Sequence, residues 1–94
     1  MYLFFIVYEE VLDEEVSSFI DKIELDRYIK WDKVKGRWKE KHMGTHIWPG
    51  EYHTVLVMVE EEKVVKLTEG VKELQKKFTA DEIWAWKVLL NETI

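Results

Sequence analysis

Ninety-four residues make one domain, and a chain of this size buries only about two-thirds of its unfolded surface, so its core is thin and self-association would help it. A hydrophobic fraction of 47% with five Trp excludes disorder, and the lack of Cys excludes disulfides, thiolate metal ligation and thiol catalysis. The net charge of -5 is uneven: residues 27–42 hold seven Lys or Arg against two acids, which suits a small anionic ligand or an acidic partner surface better than extended nucleic acid.

The longest apolar run, Tyr2 to Tyr8, is aromatic and β-branched and reads as a buried central strand. It is far too short to span a membrane. No basic stretch leads into it, and Glu9 and Glu10 follow, so a signal peptide is not expected and a cytoplasmic location without membrane insertion is. Asp13-Glu14-Glu15 then places acids where a helix start favours them. Leu12, Val16, Ile20 and Ile23 follow at helical spacing, with Phe19 beside them. Arg27 to Trp38 alternates in part and reads as a strand nearer the sheet edge, with Ile29 and Trp31 on one face and Tyr28 and Val34 on the other. Tyr52 to Val59 is the clearest strand: Val55, Val57 and Val59 face one way, Thr54, Leu56 and Met58 the other. Glu61 to Phe78 is a second helix with Val64, Leu67, Val71, Leu74 and Phe78 as its stripe. Gly70 sits inside it, where close approach to the sheet would justify the glycine. Ile83 to Leu90 is the fourth strand, with Trp84, Trp86, Val88 and Leu90 sharing a face.

The order β-α-β-β-α-β across residues 1–94 predicts a single α+β, ferredoxin-like domain: a four-stranded antiparallel sheet with two helices on one face. The other sheet face stays apolar and aromatic, and a surface of that kind marks an interaction site. The high charge fraction, 35%, with Gln75 and Asn91 as the only side-chain amides, resembles thermophile composition.

Residues 36–53 concentrate the unusual chemistry. All three His of the chain (His42, His46 and His53), its one Pro and three of its four Gly lie there. A connection this long is usually functional. The three His permit a Zn or Cu site, with Glu40 and Glu51 as supplements, although no zinc-finger or His-Glu-x-x-His spacing is present. Lys33, Lys35, Arg37, Lys39 and Lys41 recur every second residue. An extended stretch would point all five the same way, beside Trp31, as a nucleotide or another small anion requires. A solvated strand edge explains the same lysines. Catalysis has no comparable signal: Ser17 and Ser18 lie in a helix without a nearby His, and the carboxylates are spread over helix faces, so no enzyme activity is expected.

At Gly44-Thr45-His46-Ile47-Trp48-Pro49-Gly50-Glu51, followed by an apolar strand and a charged helix, the sequence resembles the PII-like superfamily. That group includes nitrogen-regulatory PII signal proteins, their shorter relatives and the CutA divalent-ion tolerance proteins. The resemblance implies a homotrimer with its sheets turned inward. It also implies a partner-contacting loop after the second strand, here residues 36–50, with a small effector bound near its base. Arg37, Lys39, Lys41, Gly44, Trp48, Pro49 and Gly50 become the expected ligand or partner-binding residues, and His42, His46 and His53 the expected metal ligands. The turn Lys77-Phe-Thr-Ala-Asp-Glu-Ile83 lacks the Gly-rich phosphate-binding sequence of PII proteins, which argues against a nucleotide held in their manner.

The expected function is therefore a PII-like regulatory protein that binds a small effector or metal ion at this loop and relays its state to a protein partner. A CutA-like metal-binding protein is the first alternative. An RNA-binding RRM domain shares the element order, but Tyr52-His-Thr-Val-Leu-Val-Met-Val59 lacks the basic-Gly-aromatic pattern that stacks bases. An enzyme of the dimeric α+β-barrel type would need a His inside a sheet-to-helix cavity, whereas all three His cluster at one loop.

Overall fold

Alternation decides the first strand. In β1 (Tyr2–Glu9), Phe4, Ile6 and Tyr8 point to one side and are buried, while Leu3, Phe5 and Val7 point to the other. The computed structural model describes the backbone of residues 1–38, 41–43, 51–79 and 82–94, with side chains for all of these except 36–38 and 41–43. A short 3-10 turn, Glu10–Leu12, leads from β1 into α1 (Asp13–Ile23). Next come β2 (Ile29–Val34), β3 (Gly36–Trp38), β4 (Lys41–Met43) and β5 (Tyr52–Val59). The chain closes with α2 (Glu61–Lys77) and β6 (Ile83–Leu89).

Four strands form one antiparallel sheet in the order β2-β5-β1-β6. Each βαβ unit is split by an intervening antiparallel strand, which is the ferredoxin-like α+β arrangement expected from the sequence. β1 and β5 are central, as their apolar character on both faces requires. β2 and β6 are the edges.

The core lies between the sheet and the two helices. Phe4, Ile6, Tyr8, Val55, Val57, Val59 and Ile83 meet Leu12, Val16 and Ile20 from the first helical segment and Val64, Leu67 and Val71 from α2. Full burial of such side chains stabilises the fold by about 1.5–3 kcal/mol each. Acids in the first turns of both helices and Lys76 and Lys77 in the last turn of α2 complement the helix dipoles. α1 stops at Glu24, whose left-handed backbone (φ 60°) caps the helix, and Lys63 donates to the Glu24 carbonyl at 3.0 Å. Gly70 serves the contact between helices rather than one with the sheet: a Cβ there would lie 2.8 Å from Phe19 Cδ2.

Two features depart from the expected strand over Arg27 to Trp38. Trp31 pairs with Thr54 and Val34 with Tyr52, so Asp32 and Lys33 together oppose the single residue His53. This is a β-bulge, and Lys33 takes a left-handed φ of 58° within it. The extra residue shifts the phase of alternation. Val34 therefore joins the face of Ile29 and Trp31, against the expected assignment, and packs with Val7, Tyr52 and Trp84. The second departure is a two-stranded ribbon, β3 with β4, inside the expected loop.

The sheet face away from the helices is open. Leu3, Phe5 and Leu56 are half-buried on it, while Ile29, Trp31, Met58, Trp86 and Val88 are exposed, with Ile29 at 55% and Trp86 at 45%. Phe5 and Trp86 stack there with centroids 5.2 Å apart.

Candidate functional site

The segment 36–50 leaves the sheet between β2 and β5, so its root is set by the last residues of β2 and the first of β5. The bulge governs this root. By crowding two residues opposite His53, it brings Asp32 Oδ1 to 2.8 Å from His53 Nδ1. His53 is buried and Asp32 is mostly exposed. The two atoms lie within ion-pair distance without forming a hydrogen bond, and among the described residues Nδ1 has no hydrogen-bond partner. The Tyr8 ring lies against His53, with centroids 5.6 Å apart.

Beside this pair the start of α1 joins the same network. The Tyr8 hydroxyl donates to Asp13 Oδ1 at 2.7 Å, and Lys30 Nζ on β2 reaches the same oxygen at 2.6 Å. The Lys30 hydrogen bond, then that of Tyr8, holds the Asp13 carboxyl below its usual range, with burial opposing. The Asp13 contact raises Lys30 in turn. Tyr8 is pushed well up, chiefly by burial and then by its bond to Asp13. The network ties the first helix to the edge strand one step from the root.

On the opposite face of the sheet the root rests on Val7, Val34, Tyr52 and Trp84. Tyr52 and Trp84 meet with ring centroids 5.8 Å apart, and the Tyr52 hydroxyl donates to Glu9 Oε1 at 3.3 Å. Both ends of the segment are thus fixed from two sides.

The expected site residues divide into three groups. Arg37, Lys41 and His42 lie on the ribbon backbone, where Arg37 is the register partner of His42 and Trp38 of Lys41. Lys39, Gly44, His46, Trp48, Pro49 and Gly50 lie outside the described residues. His53 lies on the helix-facing side of β5, against Asp32. Among the described residues no three His, Asp or Glu side chains come close enough to hold a metal ion, so His53 and Asp32 supply at most two ligands of such a site. The five basic residues do not form one extended row. The bulge breaks the alternation at Lys33, and the chain reverses between Trp38 and Lys41.

Sequence reasoning missed Asp13, Tyr8, Lys30 and Asp32. Each has an ordinary local role in its own element, so no spacing in the sequence marked them as a group.

Solved structures with this fold extend over almost the whole chain. The PII-like protein CPII of Thiomonas intermedia, bound to ADP, AMP and bicarbonate, matches with a TM-score of 0.65 at 16% identity, over 99% of this chain and 94% of that one. A protein of Thermus thermophilus described as PII-like matches with a TM-score of 0.61 at 17% identity, over 93% and 83%. A DUF3240 family protein of Shewanella baltica matches with a TM-score of 0.74 at 11% identity, over 98% and 91%. No family model and no curated protein sequence matches the chain. The chain thus shares its fold, along almost its whole length, with solved PII-like proteins. Among the described residues no helix is long and apolar enough to cross a membrane.

Proposed function

We propose that this protein is a PII-like regulator, a non-enzymatic cytoplasmic homotrimer that binds a small effector at the segment 36–50 and passes the segment's state to a protein partner. The observation that carries this reading is the exposed apolar sheet face, from Ile29 and Trp31 across to Trp86 and Val88, on a fold shared with PII-like proteins. A surface of that kind is stable once a second and third copy cover it. CPII, which has the same fold, is seen with ADP, AMP and bicarbonate, so an adenine nucleotide or a small anion is the first effector class to try. Arg37, Lys39 and Lys41 supply the cations, and Gly44, Trp48, Pro49 and Gly50 complete the proposed ligand- or partner-binding set. Effector binding selects one conformation of the segment, and that selection is the signal.

A metal effector would recruit His42, His46 and His53.

Light-scattering mass, alone and with ADP, AMP, bicarbonate, Zn(II) or Cu(II), tests both parts. The expected result is a trimer in every condition, with a rise in thermal stability for one effector class. A monomer throughout overturns the trimer. A trimer stabilised by none of these ligands overturns the effector assignment.

A further inference from the structure

A cavity of about 240 Å³ opens between α2 and the outer strand β6, on the helix side of the sheet. None of its lining residues takes part in the contacts around His53 or Tyr52. It exists because Ala85 falls between Ile83 and Lys87 on the helix-facing side of β6, and its methyl group leaves the space beside Val71 unfilled. Phe4, Val71 and Ala85, with part of Trp86, supply its apolar lining, while Thr68, Lys72, Gln75 and Lys87 supply the polar side chains.

The rim is arranged for negative charge. Gln75 Nε2 donates to the Ile83 carbonyl at 3.0 Å, and the Thr68 hydroxyl donates to the Val64 carbonyl at 2.8 Å. These bonds fix the α2 wall against β6. Lys72 stands on the helix and Lys87 on the strand. Lys87 Nζ lies 5.2 Å from the centre of the Tyr2 ring. Among the described residues neither lysine has a carboxylate within ion-pair distance, although the chain carries 19 acids against 14 Lys and Arg. Two cations without a carboxylate partner among the described residues, at the mouth of an apolar hollow, suit a ligand of two parts. At about 240 Å³ the hollow is smaller than the roughly 300–1,000 Å³ of sites for drug-sized molecules, which suits a ligand smaller than a nucleotide.

We infer that this cavity binds a small organic anion, a monocarboxylate with a compact apolar body. The carboxylate lies between Lys72 and Lys87, and the body rests on Phe4, Val71 and Ala85. The site is independent of the segment 36–50.

Benzoate is the probe. In a ¹⁵N–¹H titration of the full chain it is expected to shift the amides of Thr68, Val71, Lys72, Ala85 and Lys87 saturably. Benzyl alcohol, which lacks the charge, and inorganic phosphate, which lacks the body, should each bind at least about fivefold more weakly. Lys72→Glu and Lys87→Glu, both at exposed positions, should each cost about fivefold or more in benzoate affinity. Ala85→Leu fills the floor and should abolish binding in a chain that keeps its amide spectrum. Should that variant fail to fold, the two lysine variants decide. Benzoate affinity unchanged in both of them, or shifts confined to other amides, overturns the assignment.

Discussion

Asp13 receives two hydrogen bonds on one oxygen, from a tyrosine in the core and a lysine on the sheet edge. Its lowered pKa stabilises the fold above the unfolded value near 3.9, and that contribution disappears as pH falls through the lower folded value. Tyr8 and Lys30 are both raised, so their contributions are complete below about pH 10 and decline as pH rises beyond it. Thermal unfolding followed by circular dichroism should therefore show a plateau at neutral pH with falls on both sides. Asp13→Asn is expected to flatten the acid fall and Tyr8→Phe the alkaline one. An acid slope identical in Asp13→Asn and the parent would remove Asp13 from the account. None of this network was legible in the sequence, because its hydrogen-bonded partners lie up to 17 positions apart and each has an ordinary local role. Tyr8 reads as a strand hydrophobe and Asp13 as a helix-start acid. His53 was legible only as one of three histidines; its burial against Asp32 depends on a bulge that leaves no mark in composition.

At the scale of elements, the hydrophobic periods carried most of the fold. Val55, Val57 and Val59 separated from Leu56 and Met58 as the two faces of β5, and Val64, Leu67 and Val71 marked the inner stripe of α2; with both faces of β5 apolar, the period did not say which one meets the helices. The phase of β2 was not legible past Trp31. A left-handed residue in a bulge is ordinarily glycine or asparagine, and here it is Lys33. The β3–β4 ribbon was hidden for a similar reason, since Lys39-Glu40 between its strands lacks the glycine or asparagine of a tight hairpin. Gly70 was visible as an oddity, and the structure supplies its reason in Phe19. Gly70→Ala gains about 1 kcal/mol of helix propensity but forces a Cβ to 2.8 Å from the ring. Overpacking of that kind costs about 1–3 kcal/mol, so a net destabilisation of about 1 kcal/mol is expected in urea denaturation. In a Phe19→Ala background the same change should stabilise. A stabilising effect in both backgrounds would show that the ring yields freely.

For the whole molecule, the apolar sheet face is what a lone subunit cannot hide. Trp86, stacked on Phe5, sits on that face at the outer strand. Trp86→Glu adds a charge where the proposed trimer buries its contacts, at a cost of several kcal/mol for an unpaired buried carboxylate. Its mass by light scattering should fall to that of one subunit while the strand signal persists. An unchanged trimer would place the interface elsewhere. The sequence showed that this face existed, because strands that are apolar on both sides leave one side uncovered by two helices. It did not show the cavity under β6, which depends on how α2 lies across Ala85.

The central position of β1 has a consequence in time. Its partners are β5 and β6, and the pair Tyr2↔Leu89 closes a loop of nearly the entire chain. Local structure alone cannot secure β1. The chain must bear the entropy of these distant closures before the pairing repays it, which places folding toward the slower end for a domain of this size. Until residues beyond 52 have been synthesised, Leu3-Phe4-Phe5-Ile6-Val7 has no strand to pair with and remains an aggregation hazard. Within this sheet, the strand made before the other three is the one that must wait for the last of them.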